Sequence, residues 1–311
     1  MAEELRELSG AERDAYFRGV QPIWGGGLSE ERFIAFQRRL ADAREAGERH
    51  RLIGLFEGSR MLAAMKAYDL SGTCASKTLN VLGIGAVFTP PPLRRRGHAR
   101  RMLELAIADH AARGSDAAIL FSDIGTAYYE RLGFRPLRSE ECTADLSDLP
   151  RTGAHGSEPA DEAGLSRILA RSRANNGDLS LARDGWVLRF QLRRLRELAR
   201  ARGVAEPEWG VAVRDAGGEA AAMVRMARDA IDVLDAGWTS EGARDALLAR
   251  LREVLLRSGR QRLRLWPSHQ LRGLFQAHPR RSALAMVAPL RPDVVVSPAG
   301  ARADLALLDH I

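Results

Sequence analysis

Lysine is almost missing from this chain. Of its 47 basic residues only Lys66 and Lys77 are lysine, so guanidinium groups carry the formal net charge of +7. A basic balance is one mark of a nucleic-acid binder. Here acidic residues interrupt the arginines almost everywhere and no aromatic-rich basic strand stands out, so no nucleic-acid partner is expected. Cysteine is equally scarce. Cys74 and Cys142 lack metal-ligand spacing, and two free thiols with no metal site are expected. No stretch approaches the roughly 20 apolar residues that span a bilayer. Residues 1–5 lack the basic and apolar blocks of a secretion signal. No membrane partner and a cytoplasmic location are therefore expected. What is present is an ordinary balance for a packed protein, 45% hydrophobic and 28% charged residues. A length of 311 residues favours two domains of about 150 each.

Residues 1–50 read as helical, broken at Gly25-Gly26-Gly27, with Phe33, Ile34, Phe36 and Leu40 at helical spacing. Residues 51–56 and 61–68 are apolar runs around Glu57-Gly58-Ser59-Arg60, a hairpin pattern. Residues 80–89 read as a third strand with Gly83 and Gly85 inside it. Such glycines mark a bulge or a place where a ligand or another backbone comes close. Pro90, Pro91 and Pro92 end the strand, because proline gives no amide to a ladder. A helix is expected from His98 to Arg113, with Ala99, Met102, Leu103, Ala106 and His110 as its apolar stripe and Gly114 as its stop. Residues 117–121 are wholly apolar, as a buried parallel strand would be. A short helix over 126–132 and a strand near Phe134 follow. The fold class is α/β with a mixed central sheet.

A linker is placed at residues 145–160, rich in serine, proline, glycine and acidic residues. The expected domains are residues 1–148 and 149–311. The second half echoes the first: a helix over 185–202, strands over 209–213, 220–226 and 230–234, a helix over 240–257, and strands over 262–266 and 282–287. No arginine-glycine loop lies between Leu234 and Ser240. The second half thus reads as a degenerate copy without that loop, and an unrelated α/β domain fits the same pattern.

The informative stretch is Arg94-Arg95-Arg96-Gly97-His98-Ala99, between a strand and a helix. Such a turn exposes consecutive backbone amides that form an anion-binding nest. The following helix adds the positive end of its dipole, and small residues at 97 and 99 let a diphosphate approach. Arginine side chains supply charge-assisted contacts. The hexapeptide alone also fits a plain strand-to-helix connection. The strand before it, the helix after it, and Tyr129-Glu130-Arg131-Leu132-Gly133-Phe134 further on make one arrangement. Ser122 and Asp123 end the buried strand, where ligands collect in α/β sheets; they also fit a turn-forming pair.

Taken together, these residues resemble the GNAT superfamily of N-acetyltransferases. The strand Val87-Phe88-Thr89 with Pro91, the loop Arg94 to Ala99, and a tyrosine four residues before Gly133 stand in that family's order across residues 30–145. The two-domain layout is similar to the Eis-like branch. The wording Val87 to Pro91 with Phe121 to Gly125 resembles fungal Lyc1-type lysine N-acetyltransferases. The resemblance implies acetyl-CoA as acyl donor and direct attack by a primary amine of a small molecule. It implies that the backbone of Val87, Phe88 and Thr89 meets the pantetheine arm and the thioester. It assigns the diphosphate to Arg95, Arg96, Gly97, His98, Ala99 and Arg100, in a motif opened by Arg94, with Ser122 and Asp123 as further cofactor contacts. Tyr129, with Tyr128 as a competitor, would protonate the departing thiolate, a task within reach of a phenol of pKa near 10. No carboxylate stands out as general base. By similarity to Eis-like relatives the terminal carboxylate on Ile311 is a candidate, with Asp123 and Asp309 as rivals. Trp24, Phe33 and Tyr68 fit either the acceptor pocket or the core. A non-catalytic acyl-CoA sensor would keep the loop and gain nothing from Tyr129.

Overall fold

The computed structural model describes residues 3–43, 47–75, 77–151, 157–159, 162–172, 179–204, 210–215, 218–267, 271, 273–292, 294 and 303–306. The first half runs β1 (Glu3–Glu7), α1 (Gly10–Trp24), α2 (Glu30–Ala41), β2 (His50–Glu57), β3 (Arg60–Cys74), β4 (Lys77–Phe88), α3 (His98–Ala112), β5 (Ala117–Ser122), α4 (Ala127–Glu130), β6 (Arg135–Pro136) and β7 (Glu140–Asp145). Strand β1 stands where helix was expected. It is a largely exposed strand paired with β2, so its Glu-Glu-Leu-Arg-Glu sequence needs no apolar face. Helix α2 follows its local chemistry more plainly. Ser29 caps it, Glu30 and Glu31 occupy its first turn, and Arg38 and Arg39 its last, each complementing the helix dipole. The stripe Met102, Leu103, Ala106 and His110 of α3 is buried, and the first three pack with Ala118, Leu120 and Met286.

The second half runs β8 (Ser157–Pro159), α5 (Glu162–Ser172), β9 (Leu179–Leu181), α6 (Gly185–Arg202), β10 (Gly210–Asp215), β11 (Gly218–Met226), β12 (Ala230–Trp238), α7 (Glu241–Ser258), β13 (Arg262–Leu265), β14 (Ala277–Pro279), β15 (Leu284–Pro289) and β16 (Ala303–Asp304). Two sheets result. The first has the order β1-β2-β3-β4-β5-β15-β6, and β9 with β16 joins it through β3. The second, read in the matching direction, is β8-β10-β11-β12-β13-β7-β14. In both, the pair in the middle (β4 with β5, β12 with β13) is parallel and the other steps along the path are antiparallel. The fold is thus α/β with two mixed sheets of one topology, a duplicated unit.

The copies exchange a strand. β7, from the first half, lies between β13 and β14 of the second sheet, and β15, from the second half, lies between β5 and β6 of the first. Residues 282–287 were expected to finish the second half's own sheet. They instead give most of a strand whose Ala285, Met286 and Val287 are buried in the first half's core. In β7 only Cys142 and Ala144 are buried, on alternate positions, so Glu-Glu-Cys-Thr-Ala-Asp carries little strand signal. The expected division at residue 148 is therefore crossed in both directions. Cys74 and Cys142 are both buried. Among the described residues no helix is long and apolar enough to cross a membrane.

Strand exchange makes a falsifiable demand on the first half. Residues 1–150 expressed alone lack β15, leaving β5 with a bare edge, and are expected to aggregate or to unfold without cooperativity in a circular-dichroism melt. A cooperative melt of that fragment as a monomer would show that it does not need the exchanged strand.

Candidate active site

Strands β4 and β5 begin as a parallel ladder, Val81 to Ile84 against Ala117 to Leu120, and then part. Beyond Ile84, β4 carries a bulge: Ala86 and Val87 together face Met65 of β3, between the pairs Lys66–Gly85 and Ala64–Phe88. Ala86 sits at φ 47°, which is unfavourable for a residue with a Cβ. The buried hydroxyl of Tyr16 donates to the Ala86 carbonyl at 2.7 Å, pinning the bulge in place. Burial holds the Tyr16 phenol well above its ordinary pKa, so it stays a donor. The bulge turns the strand and opens a crevice toward Tyr129. Val87 packs partly against the same core as Tyr129, whereas the Phe88 ring is buried among Tyr16, Phe17 and Gly19. Phe88 can therefore offer a ligand only its backbone. Thr89 accepts a hydrogen bond through its carbonyl from Arg94 Nε at 3.2 Å. Arg94 thus turns back to brace the loop.

The loop itself is open. Arg95 (φ 63°) and Gly97 (φ 86°) are both left-handed, and Arg94, Arg95, Arg96 and Arg100 are exposed. A Cβ built on Gly97 would meet nothing within 4 Å. No side chain caps α3, and its first turn has no acidic residue. Among the described residues the amides of 95–100, the stretch containing His98 and Ala99, have no hydrogen-bond acceptor. Six consecutive donors at a helix N-terminus form an anion site. Glu3 approaches its flank, 3.9 Å from His98 Nδ1 and 3.5 Å from Arg101 Nε.

The second copy shows what it takes to close such a site. β12 carries a register shift opposite Met223 and Val224, and its parallel pairing with β13 ends at Val233. However, only Thr239 and Ser240 separate β12 from α7. Ser240 Oγ accepts from the Ala243 amide at 3.1 Å, and Glu241 places a negative charge in the first turn. Two residues past the last parallel pair, Asp235 holds Arg183 in a buried ion pair. One amide is capped there, and a carboxylate stands in a first turn where α3 has none.

Tyr129 is buried on α4, edge-on to Tyr128 and to Phe134. Its phenol is pushed up to about 12, first by burial and then by Tyr128 and Asp123. Among the described residues its hydroxyl has no hydrogen-bond partner, and Tyr129 borders the cavity. Ser122 is buried and its hydroxyl is occupied within its own turn, donating to the Gly125 carbonyl at 2.5 Å and accepting from the Ile124 amide at 3.3 Å. Asp123 is exposed at the cavity edge, and one carboxylate oxygen accepts from the Ala283 amide at 2.8 Å. It thereby anchors the entry to β15. Ile311 and Asp309 lie outside the described residues.

A cavity of about 340 Å³ runs from Gly85, Ala86, Val87 and Tyr129 inward between α1, α2 and α6. Trp24, Phe33 and Tyr68 line it, as one reading of the sequence had it, together with Phe36 and Phe190. Its polar groups are Gln37, Lys66, Arg194, Arg202 and Asp123, of which only the last was singled out from sequence. Lys66 interrupts the apolar run Leu62 to Tyr68, and a lone charge there was the available signal. Its ammonium donates to Gln37 Oε1 at 2.8 Å and is pushed down to about 7 by burial and by Arg194. The wall formed by α6 belongs to the other half of the chain, so sequence proximity could not reveal it. Among the described residues no group of three or more His, Cys, Asp or Glu could hold a metal ion.

With a splayed parallel pair, a bulged β4 and an open helix start in place, the comparisons with known proteins identify the domain in the first half. Residues 4–137 match the family model described as an acetyltransferase (GNAT) domain. The chain carries a GNAT acetyltransferase domain. It is an acyltransferase by that domain, and the second sheet repeats the GNAT topology. In structure the whole chain is similar to a probable N-acyltransferase from Enterococcus faecalis, with 14% identity, a TM-score of 0.67, and 94% of this chain and 73% of that one covered. It is also similar to Eis1 from Mycobacterium abscessus, at 18% identity and TM-score 0.60, covering 93% and 74%. A tandem GNAT protein from the clavulanic acid biosynthesis pathway is covered completely, with 94% of this chain, at 12% identity and TM-score 0.52. At such identities the likeness is one of fold. No curated protein sequence matches the chain.

Two outcomes follow from the GNAT site. Gly97→Glu puts a carboxylate at the open start of α3 and is expected to abolish CoA binding in calorimetry while costing the fold only about 1–2 kcal/mol for a left-handed residue with a Cβ. Undiminished CoA affinity would remove the loop from the site. Lys66 has a folded pKa of about 7 against an ordinary 10.5, so the unfolded chain binds the extra proton between those values. Stability is expected to rise from pH 7 toward pH 10, and Lys66→Met should flatten that rise. An unchanged slope in the variant would show that Lys66 keeps an ordinary pKa.

Proposed function

We propose that the chain transfers the acetyl group of acetyl-CoA to a primary amine of a small molecule. What supports this reading is the run of amides at 95–100, which among the described residues have no acceptor, beside a cavity lined by Val87 and Tyr129. In it, Arg95, Arg96 and Arg100 with the amides of Gly97, His98 and Ala99 take the diphosphate, and Arg94 braces the loop. Backbone groups of Val87, Phe88 and Thr89 align the pantetheine arm. An amide directed at the developing oxyanion is worth about 2.7–4 kcal/mol in comparable acyl transfers.

The neutral amine attacks the thioester carbonyl carbon, the carbon–sulfur bond breaks, and the leaving thiolate takes the phenolic proton of Tyr129. The nitrogen then releases a proton to solvent, which restores the phenol. A phenol held near 12 is protonated at every pH where the enzyme would work, so it acts as donor throughout. The cationic groups of the cavity favour a neutral acceptor amine, which eases the need for a strong base. Asp123 already spends one oxygen on Ala283, and the terminal carboxylate of Ile311 stays a candidate from resemblance alone.

Thiol release with a panel of amines tests the reaction. Tyr129→Phe is expected to lower kcat roughly 10²-fold with little change in the KM for acetyl-CoA. The wild-type kcat profile should show no alkaline limb from this residue below about pH 11. Full turnover in Tyr129→Phe would exclude it as the acid. CoA binding with no thiol release from any amine would leave a non-catalytic acyl-CoA sensor in place of the enzyme.

A further inference from the structure

Lysine occurs twice in the chain, and one of the two lines the cavity that Val87 and Tyr129 also line. Lys66 stands on β3 directly opposite Gly85, and the β4 bulge begins at the next residue, Ala86. Gly85 has no side chain to stand between Lys66 and that bulge. Neighbouring strands lie about 4.8 Å apart, a gap that a flexible four-carbon stem outreaches. The nitrogen is steered by Gln37 on α2, whose Oε1 accepts one of its N–H groups at 2.8 Å. That bond uses an N–H and leaves the lone pair of the free amine available to a carbonyl carbon. Transfer to an amine from solution gives Lys66 no part in the chemistry, although it shares the cavity with the reacting end.

An amine held in the same cavity as a thioester competes with any amine that diffuses in. From the shared cavity, the register of Lys66 against Gly85 and the bond to Gln37, we infer that Lys66 is a self-acetylation site, taking the acetyl group of bound acetyl-CoA when no acceptor fills the cavity. This rests on the acetyl-transfer reading above and adds a second acceptor, one that belongs to the protein. The Nζ lone pair attacks the thioester carbonyl carbon, the carbon–sulfur bond breaks, and the thiolate takes the phenolic proton of Tyr129. The nitrogen releases one proton to solvent, which restores the phenol and leaves an acetamide on Lys66. Tethering replaces encounter, and a well-placed group gains a large effective concentration by it. Burial and Arg194 lower the Lys66 pKa to about 7, so free amine is abundant near neutral pH. The product is uncharged and longer by one acetyl group. It narrows the cavity and slows turnover of an external amine.

The test is intact-mass analysis and peptide mapping of the unmutated protein after incubation with acetyl-CoA and no amine. Lys77, the other lysine, is exposed and serves as the internal measure of unassisted chemistry. One acetyl group is expected at Lys66, forming at least roughly 100-fold faster than at Lys77. S-ethyl-CoA, which carries no thioester, should suppress the reaction at Lys66 and leave that at Lys77 unchanged. Acetylation at Lys66 no faster than at Lys77, or untouched by S-ethyl-CoA, overturns the inference. An unmodified Lys66 beside thiol release from an amine of the panel overturns it and leaves acetyl transfer standing. An unmodified Lys66 with no thiol release from any amine overturns both.

Discussion

The site depends on where a parallel ladder stops. β4 and β5 are bonded through Ile84 and Leu120, and past that pair the backbone of β4 must find other partners or face a ligand. The bulge at Ala86 and Val87 turns the strand away, and Tyr16 satisfies the carbonyl that the bulge exposes. Everything else is arranged about that gap. The helix α3 starts at its mouth without a cap, α4 brings Tyr129 to its side, and α1, α2 and α6 enclose the space beyond it.

The second copy keeps the gap but surrounds it differently. Its parallel pair also ends early, and β12 is also irregular beside it. A two-residue link leads to a helix start with a serine cap and a glutamate, and the Arg183–Asp235 pair occupies buried volume nearby. The copy is retained as architecture. It lends β15 to the first sheet and α6 to the wall of the cavity, and it receives β7 in return. Two similar folds have thereby come to share strands.

Local patterns were legible where local physics decides them. Residues 80–89 and 98–113 could be read as strand and helix because the prolines, Gly97 and a 3.6-residue apolar stripe act within a few positions. The loop followed for the same reason. Three kinds of feature were hidden. β1 and β7 are polar strands with little alternation to detect. β15 looks like any apolar strand, and only tertiary pairing reveals which sheet it joins. The cavity was hidden because it assembles Gln37, Lys66 and Arg194 from distant elements. Ser122 and Asp123 fitted either a ligand contact or a turn-forming pair, and the structure engages Ser122 in a turn and Asp123 in anchoring β15. No curated match supports the likeness to fungal lysine N-acetyltransferases, and the GNAT assignment stands on residues 4–137.

Amide hydrogen exchange on the intact chain, with and without CoA, addresses the gap directly. Protection should appear at residues 87 and 95–100 and be absent from 241–243, the capped helix start of the second copy. Protection at 241–243, or no change across 95–100, would contradict the placement of the cofactor in the first copy.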